Sequence, residues 1–552
     1  MSGFKPEALD LSHHLSTLAK NRQTSPLKGL QRFLNKPGLI QLAGGLPSPA
    51  YFPFADLSSN ILVADSFPLT VNNAGSPDHD ESAFSWLWKL FGSDEGKEKT
   101  TPVTVPKYSL PQQINLATAL QYGLSGGLPQ LQKLVTEFSG RVYQPAYENW
   151  KTLLHAGNTD AWNKVVITLC NPGEGVFVSK WTYPSAMASM TPYNILPVPV
   201  DIDSEGMRSD DLRAILSGWD QETRGMPRPR VIYTVPVGEN PTGLTTGLQR
   251  KKEIYQLCVE FGAILVEDDP YFILQEGVYA PKEKRANTEA PKSDEEFIAS
   301  LEPSYLNIDY QGRVIRLDTF SKTMAPGCRL GWYTCNPMFA ERLERAAETS
   351  TQAPCGFSQS LVATTLLEWG TAGYLRWLKG LRVQYTVRRD FLVDCFADEF
   401  NLSLEPAAVG DIWEGCQVYH GSVKRKNTVF WSEKAAHSTP LFSFVPPSSG
   451  MFIWLKVHLD QHPAYATLGV KELEQKLWIE FAEAGLLIGP GTNIGHITAP
   501  TNMFAGAMFN PTNDFSNVRS GHFRVSFSNA ENAELKKASE IFATVLRKFM
   551  SA

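Results

Sequence analysis

The 552-residue chain predicts an α/β protein: a large, mainly parallel sheet covered by helices on both faces, followed by a smaller α+β domain. Three observations lead there. First, between Trp150 and Cys335, short β-rich apolar runs fall at residues 151–156, 175–179, 194–200, 230–236, 263–266, 314–320 and 331–335. Segments of helical period, such as 160–169 and 246–261, separate several of them. Strands alternating with helices imply crossover connections and parallel pairing, seven strands in all. Second, residues 371–400 carry a long, charge-laced apolar periodicity that reads as one helix leaving the sheet domain. Third, the remainder offers strand-like runs at 450–457 and 523–528 and a closing helix at 533–549.

Composition narrows the function classes. Lys and Arg number 51 against 57 Asp and Glu, a formal charge of −6, so the chain lacks the basic excess of a nucleic-acid binder. No apolar run approaches the ~18–20 residues of a membrane span. Seven cysteines without a CxxC pair read as reduced thiols in a reducing compartment. Glu7 and Asp10 with no apolar h-region fit neither a signal nor a transit peptide, so a cytoplasmic location is expected. Three stretches, 76–106, 276–300 and 415–440, read as loops or insertions. The first surrounds an apolar knot at 84–88, and the third holds the Lys424-Arg425-Lys426 run, which reads as a solvated loop face. His13-His14 lacks a second ligand pair at metal spacing, so no metal site is expected.

In an open α/β sheet, ligands bind beyond the carboxyl ends of the strands. After the first predicted strand comes Gly157-Asn158-Thr159-Asp160, and after the second Trp181-Thr182-Tyr183-Pro184. The fourth leads to Gly238-Glu239-Asn240-Pro241-Thr242-Gly243, the fifth to Asp268-Asp269-Pro270-Tyr271, and the sixth to Ser321-Lys322. A polar helix start, an aromatic, an amide, an acid and a lysine therefore converge on one edge.

These residues resemble the fold type I pyridoxal-phosphate enzymes, specifically the class I/II aminotransferases, and most closely their fungal aromatic amino acid and 2-aminoadipate branch. The resemblance runs from Gly44-Gly45-Leu46-Pro47 to Phe523-Arg524-Val525-Ser526. Its most specific parts are Asn240-Pro241-Thr242-Gly243, Asp268-x-x-Tyr271, and Ser321-Lys322 followed by Pro326-Gly327-Cys328-Arg329-Leu330-Gly331. It implies an N-terminal arm with part of the small domain over 1–60, a large cofactor domain over 61–375 and a small C-terminal domain over 376–552.

The resemblance also implies roles. Lys322 is the amine that condenses with the cofactor aldehyde and shuttles the substrate α-proton. Asp268 faces the pyridine nitrogen and holds its proton, whereas neighbouring Asp269 reads better as a strand-end cap. Asn240 and Tyr271 hydrogen-bond the cofactor's phenolic oxygen. Backbone N–H groups of Asn158 and Thr159, the Arg329 cation, and the Ser321 and Thr319 hydroxyls hold phosphate. Tyr183 stacks on the cofactor ring, with a plain core tyrosine as the competing reading. Alternation places Phe523 and Val525 on one face of their strand and Arg524 on the other, where a guanidinium can grip an α-carboxylate. Tyr122 resembles the tyrosine that reaches a neighbouring subunit's phosphate, and Gly45 belongs to a segment that closes over substrate.

The implied protein is a cytoplasmic homodimer that transaminates Phe, Tyr and Trp, with kynurenine or 2-aminoadipate as further donors, using 2-oxoglutarate. Amino acids and 2-oxo acids are its partners; neither nucleic acid nor membrane is. Two alternatives stay open: another pyridoxal-phosphate chemistry such as a β-lyase or synthase, and a ligand-sensing regulator.

Overall fold

A computed structural model describes residues 5–24, 42–43, 45–70, 98–110, 112–285, 290–291, 293–424, 439–491, 508–511 and 518–551. The apolar knot at 84–88, Gly44, Arg425 and Lys426 lie outside the described residues.

Strands β1 (Asp56–Leu62) and β2 (Thr100–Pro106) pair antiparallel, Asp56 opposite Pro106 and Leu62 opposite Thr100. The large sheet contains β3 (Lys151–His155), β4 (Gly175–Ser179), β5 (Leu196–Val200), β8 (Val231–Thr234), β9 (Ile264–Asp268), β10 (Val314–Thr319) and β11 (Gly331–Cys335), with the small hairpin β6 (Ile202–Asp203) and β7 (Gly206–Met207) after β5. Its order is β3-β11-β10-β9-β8-β4-β5. Strands β4, β8, β9, β10 and β11 are buried at every residue, as strands covered on both faces must be.

The sheet is mixed. β11 runs antiparallel to both β10 and β3, because the connection 320–330 is shorter than the dozen or so residues a crossover needs. A second, six-stranded sheet follows: β12 (Phe400–Pro406), β13 (Gln417–Val423), β14 (Phe442–Phe444), β15 (Phe452–Val457), β16 (Gly489–Pro490) and β17 (Gly521–Ser526), ordered β12-β13-β14-β15-β17-β16.

All three supposed insertions contain regular structure. β2 closes the first, the helix Asp294–Ala299 lies in the second, and β13 occupies the third. The helix read over 371–400 is the second half of Gly356–Glu399, which breaks at Gly370 (φ 62°, ψ 175°). It stops at Glu399, since Phe400 already opens β12.

The chain divides into two compact units. The first comprises Met1–Asn171, Ile264–Ile273 and Arg285–Val383. In it β9 and β10 are parallel and β3 runs the same way, so the carboxyl ends of all three face one edge. The second comprises Pro172–Ala263, Leu274–Lys284 and Gln384–Ala552. There β4 is parallel to both β5 and β8. Trp181, Trp413, Trp454 and Phe509 form a buried aromatic core in this unit. Among the described residues no helix is long and apolar enough to cross a membrane.

Candidate active site

In the first unit the site is assembled from the ends of β3, β9 and β10. β3 stops at His155, and the chain turns through Gly157 into the helix Asn158–Leu169. Gly157 has φ +99°, and a Cβ there would lie 2.2 Å from Arg329 Nη2. Only glycine lets the guanidinium reach this turn. Arg329 donates from Nη2 to Ala156 O (3.1 Å) and from Nη1 to Pro326 O (3.1 Å) and Ser321 Oγ (3.4 Å). Ser321 Oγ lies 2.8 Å from Thr319 Oγ1, which also accepts from the Ser321 N–H at 3.1 Å. The helix start has no side-chain cap. A positive dipole end, a cation and two hydroxyls thus share one corner, the donor set an anion requires. Thr159 is exposed on the first helical turn.

Asp268 ends β9 and is buried. Asn158 Nδ2 donates to its Oδ1 at 2.7 Å and to Leu317 O at 3.1 Å. Asn158, read from sequence for its backbone N–H, therefore also orients the acid. Its own Oδ1 is buried without a hydrogen-bond partner in the protein. Such an acceptor is costly unless a ligand donor meets it.

Asp269 does not serve simply as a strand-end cap: its Oδ2 pairs with fully buried Arg316 at 3.0 Å. Arg316 also pairs with Glu267 (3.1 Å) and Asp318 (2.9 Å) beneath the Tyr143 ring. Burial pushes the Asp318 carboxyl up to about 6, with the Arg316 charge opposing it. Tyr271 is buried in the turn that follows, and Lys322 is half-buried in the turn after β10. Tyr122 is 65% exposed; its N–H donates to Gln121 Oε1, and Gln121 Nε2 reaches Pro47 O at 2.7 Å. Exposed Gly45 precedes that tie.

Sequence reasoning missed His155. Its Nδ1 accepts from the Gly157 N–H at 3.1 Å, and the ring packs edge-on to Tyr333. Burial lowers its pKa to about 3, so it steadies the turn as a neutral imidazole. The available signal was a polar ring ending an apolar strand two residues before a glycine.

The second unit carries a set of its own. Asn240 is buried and its Oδ1 accepts from Arg524 Nη1 at 2.7 Å. Arg524 lies on β17, its guanidinium 4.5 Å from the Phe452 ring centre and 5.0 Å from that of Phe509. Aromatic faces fix the plane of a guanidinium and leave its edge for hydrogen bonding. Gly238 (φ +56°) lies so close to Gly450 that a Cβ would come within 2.6 Å of its Cα, which packs the 238–243 turn against the segment that leads into β15. Inside that turn Glu239 Oε2 accepts from Thr242 Oγ1 at 2.8 Å. Burial raises the Glu239 pKa to about 7. Tyr183, half-buried, precedes the helix Pro184–Met190.

Comparison with known proteins agrees with this geometry. Residues 94–409 match the family model "Aminotransferase class I and II". An aromatic amino acid aminotransferase of Schizosaccharomyces pombe is 35% identical over 543 residues, 98% of each chain. An L-tyrosine:2-oxoglutarate aminotransferase of Tapinella panuoides is 30% identical across 99% of this chain and 97% of its own. The crystal structure of aminotransferase Aro8 from Candida albicans superposes with a TM-score of 0.78 at 30% identity, covering 99% of this chain and 100% of that one. A fold type I architecture, strand ends that carry an acid, a lysine and an anion cradle, and similarity along nearly the whole chain agree: the protein belongs to the class I and II aminotransferases.

Proposed function

We propose that the protein is a cytoplasmic, homodimeric, pyridoxal-phosphate-dependent aminotransferase acting on aromatic amino acids, with 2-oxoglutarate as acceptor. The names of the relatives from S. pombe and T. panuoides support the donor and acceptor classes. The observation that carries the reading is the Asn158–Asp268 bond at the same uncapped helix start that Arg329 lines. It joins an oriented acid to a phosphate-type cradle, and the buried Asn158 Oδ1 leaves an acceptor for the bound group. The residues present therefore fit the cofactor.

When bound, pyridoxal phosphate supplies an aldehyde that condenses with amines and a ring that accepts the electrons left as the α-proton departs. Arg329, Ser321, Thr319 and the N–H groups of Asn158 and Thr159 would bind its phosphate, with Tyr122 of the second protomer adding a hydroxyl. Asp268, aimed by Asn158, would hold a proton on the pyridine nitrogen. Asn240 and Tyr271 would hydrogen-bond the phenolic oxygen, and Tyr183 would cover the ring face. Lys322 would anchor the cofactor and carry the proton to and from the substrate α-carbon. Arg524, planar between Phe452 and Phe509, would clamp the α-carboxylate, and the Gly45 segment would exclude water.

The test is a donor panel at fixed 2-oxoglutarate. Phe, Tyr and Trp should exceed aspartate in kcat/KM by ~10-fold or more, about 1.4 kcal/mol, with 2-aminoadipate between. Lys322→Ala should abolish turnover and the cofactor that borohydride traps on the protein. Near-normal transamination by that variant would overturn the assignment, and ammonia release in place of glutamate would favour a lyase.

A further inference from the structure

The turn that carries Lys322 is held by an aromatic set whose role no motif announces. In the long helix Gly356–Glu399, the Gly370 break turns Trp369, Tyr374 and Trp377 into one stack. The Trp369 ring lies 5.0 Å from Trp377 and 6.5 Å from Tyr374, both in stacked geometry. Two members of the stack reach the residue after the lysine. Trp377 Nε1 donates to Thr323 O at 2.8 Å, and Tyr374 Oη donates to Thr323 Oγ1 at 3.1 Å. Thr323 and Met324 close the turn with N–H bonds to Phe320 O (3.3 and 2.8 Å). On the other side the Ser321 N–H is tied to Thr319 Oγ1. Lys322 is thus flanked by two backbone anchors.

The far side of the stack is braced in turn. Trp369 Nε1 donates to Leu62 O at 2.9 Å, and Arg376 Nη2 donates to Phe67 O at 2.7 Å. The Phe67 ring packs 4.9 Å from Trp377. Tyr374 and Trp377 are both buried, so losing either bond leaves a polar tip poorly solvated. Four flexible methylenes link a lysine amine to its backbone, and its reach is only as well defined as that backbone.

We propose that Tyr374 and Trp377 are positioning residues for Lys322, and that the segment around Leu62–Phe67 braces them, giving the β1 arm a part in placing the amine. The proposal rests on Lys322 being the cofactor-binding lysine.

The experiment uses the intact holoenzyme. Trp377→Phe keeps an aromatic side chain, though a smaller one, and deletes the donor, Tyr374→Phe deletes only one oxygen, and Trp369→Phe cuts the brace at Leu62. For each variant kcat, donor KM and the pH midpoint of the bound cofactor's visible band are recorded. The first two should lower kcat by about tenfold, leave KM within about twofold and move the band midpoint by at least about half a pH unit. Trp369→Phe should show the same signature at smaller size. Unchanged kcat and midpoint in Tyr374→Phe and Trp377→Phe would overturn the proposal. So would a fall in melting temperature with the midpoint unmoved, because that is a purely structural contribution; if Trp377→Phe does not fold, Tyr374→Phe decides alone. Failure of the wild-type protein to trap cofactor on Lys322 would instead remove the reading beneath it.

Discussion

Asp268, which ends β9, and Glu239, in the turn that follows β8, show how local surroundings set two carboxyl groups apart. Asp268 receives an amide N–H from Asn158, whereas Glu239 is buried with a hydroxyl partner and is pushed toward neutrality. The linkage consequence follows from the sign. The pKa of Glu239 in the folded protein, about 7, lies above its ordinary 4.5. The folded state therefore keeps a proton that the unfolded chain releases, and stability falls as pH rises from about 4.5 through about 7. The full effect is of order ~3 kcal/mol. Glu239→Gln, which fixes the neutral form, should flatten urea-unfolding stability across about pH 5 to 8; an identical slope in wild type and variant would count against it. The placement of Lys322, Asp268, Asn240 and Arg524 on or just after strands was legible in the sequence because each sits in a specific motif beside a recognisable strand. The Asn158–Asp268 bond, the His155 support and the buried Arg316 cluster were not, because they join side chains far apart in the chain or too short of pattern to mark.

Elements were legible where burial imposed a period and obscured where chemistry interrupted it. β4 and β11 have the limits their apolar runs predict, being buried at every residue. The strand expected from residue 194 begins at Leu196 because Asn194 adopts φ +53° and closes the preceding 3₁₀ turn. β2 was hidden by Pro102, Pro106 and its threonines, which a strand of a two-stranded ribbon tolerates, while Val103 and Val105 still alternate inward. The antiparallel course of β11 was invisible to a rule that assumes a helical crossover. The helix Asn158–Leu169 is the element on which the proposed cofactor binding depends most. Gly157→Ala would force a Cβ into the Arg329 guanidinium at a backbone angle L-residues avoid, at a cost of roughly 1–3 kcal/mol. Displacing that cation from the helix start should raise the Kd for pyridoxal phosphate by about tenfold or more, read by fluorescence titration of the apoprotein. Unaltered affinity would place the phosphate elsewhere.

At the scale of the whole molecule, the first unit exposes several large apolar side chains. Leu42, Tyr51, Tyr108, Leu110, Tyr122 and Leu124 are all exposed large hydrophobic side chains. Exposed apolar side chains mark a surface that meets another molecule where they gather into one patch. Gln121 links two parts of this stretch through Pro47, so Tyr122 sits on a tied backbone with its ring outward. In the proposed homodimer a second copy of the chain would be the partner of this ring, since a C2 pair would offer each Tyr122 the same neighbour. The protein should therefore sediment at about twice its 61.3 kDa chain mass. Tyr122→Phe should leave that mass unchanged but speed cofactor loss, because the ring still packs while its hydroxyl is gone. If instead a monomer retains full activity on dilution, no residue crosses between protomers, and the exposed apolar stretch must serve a different partner.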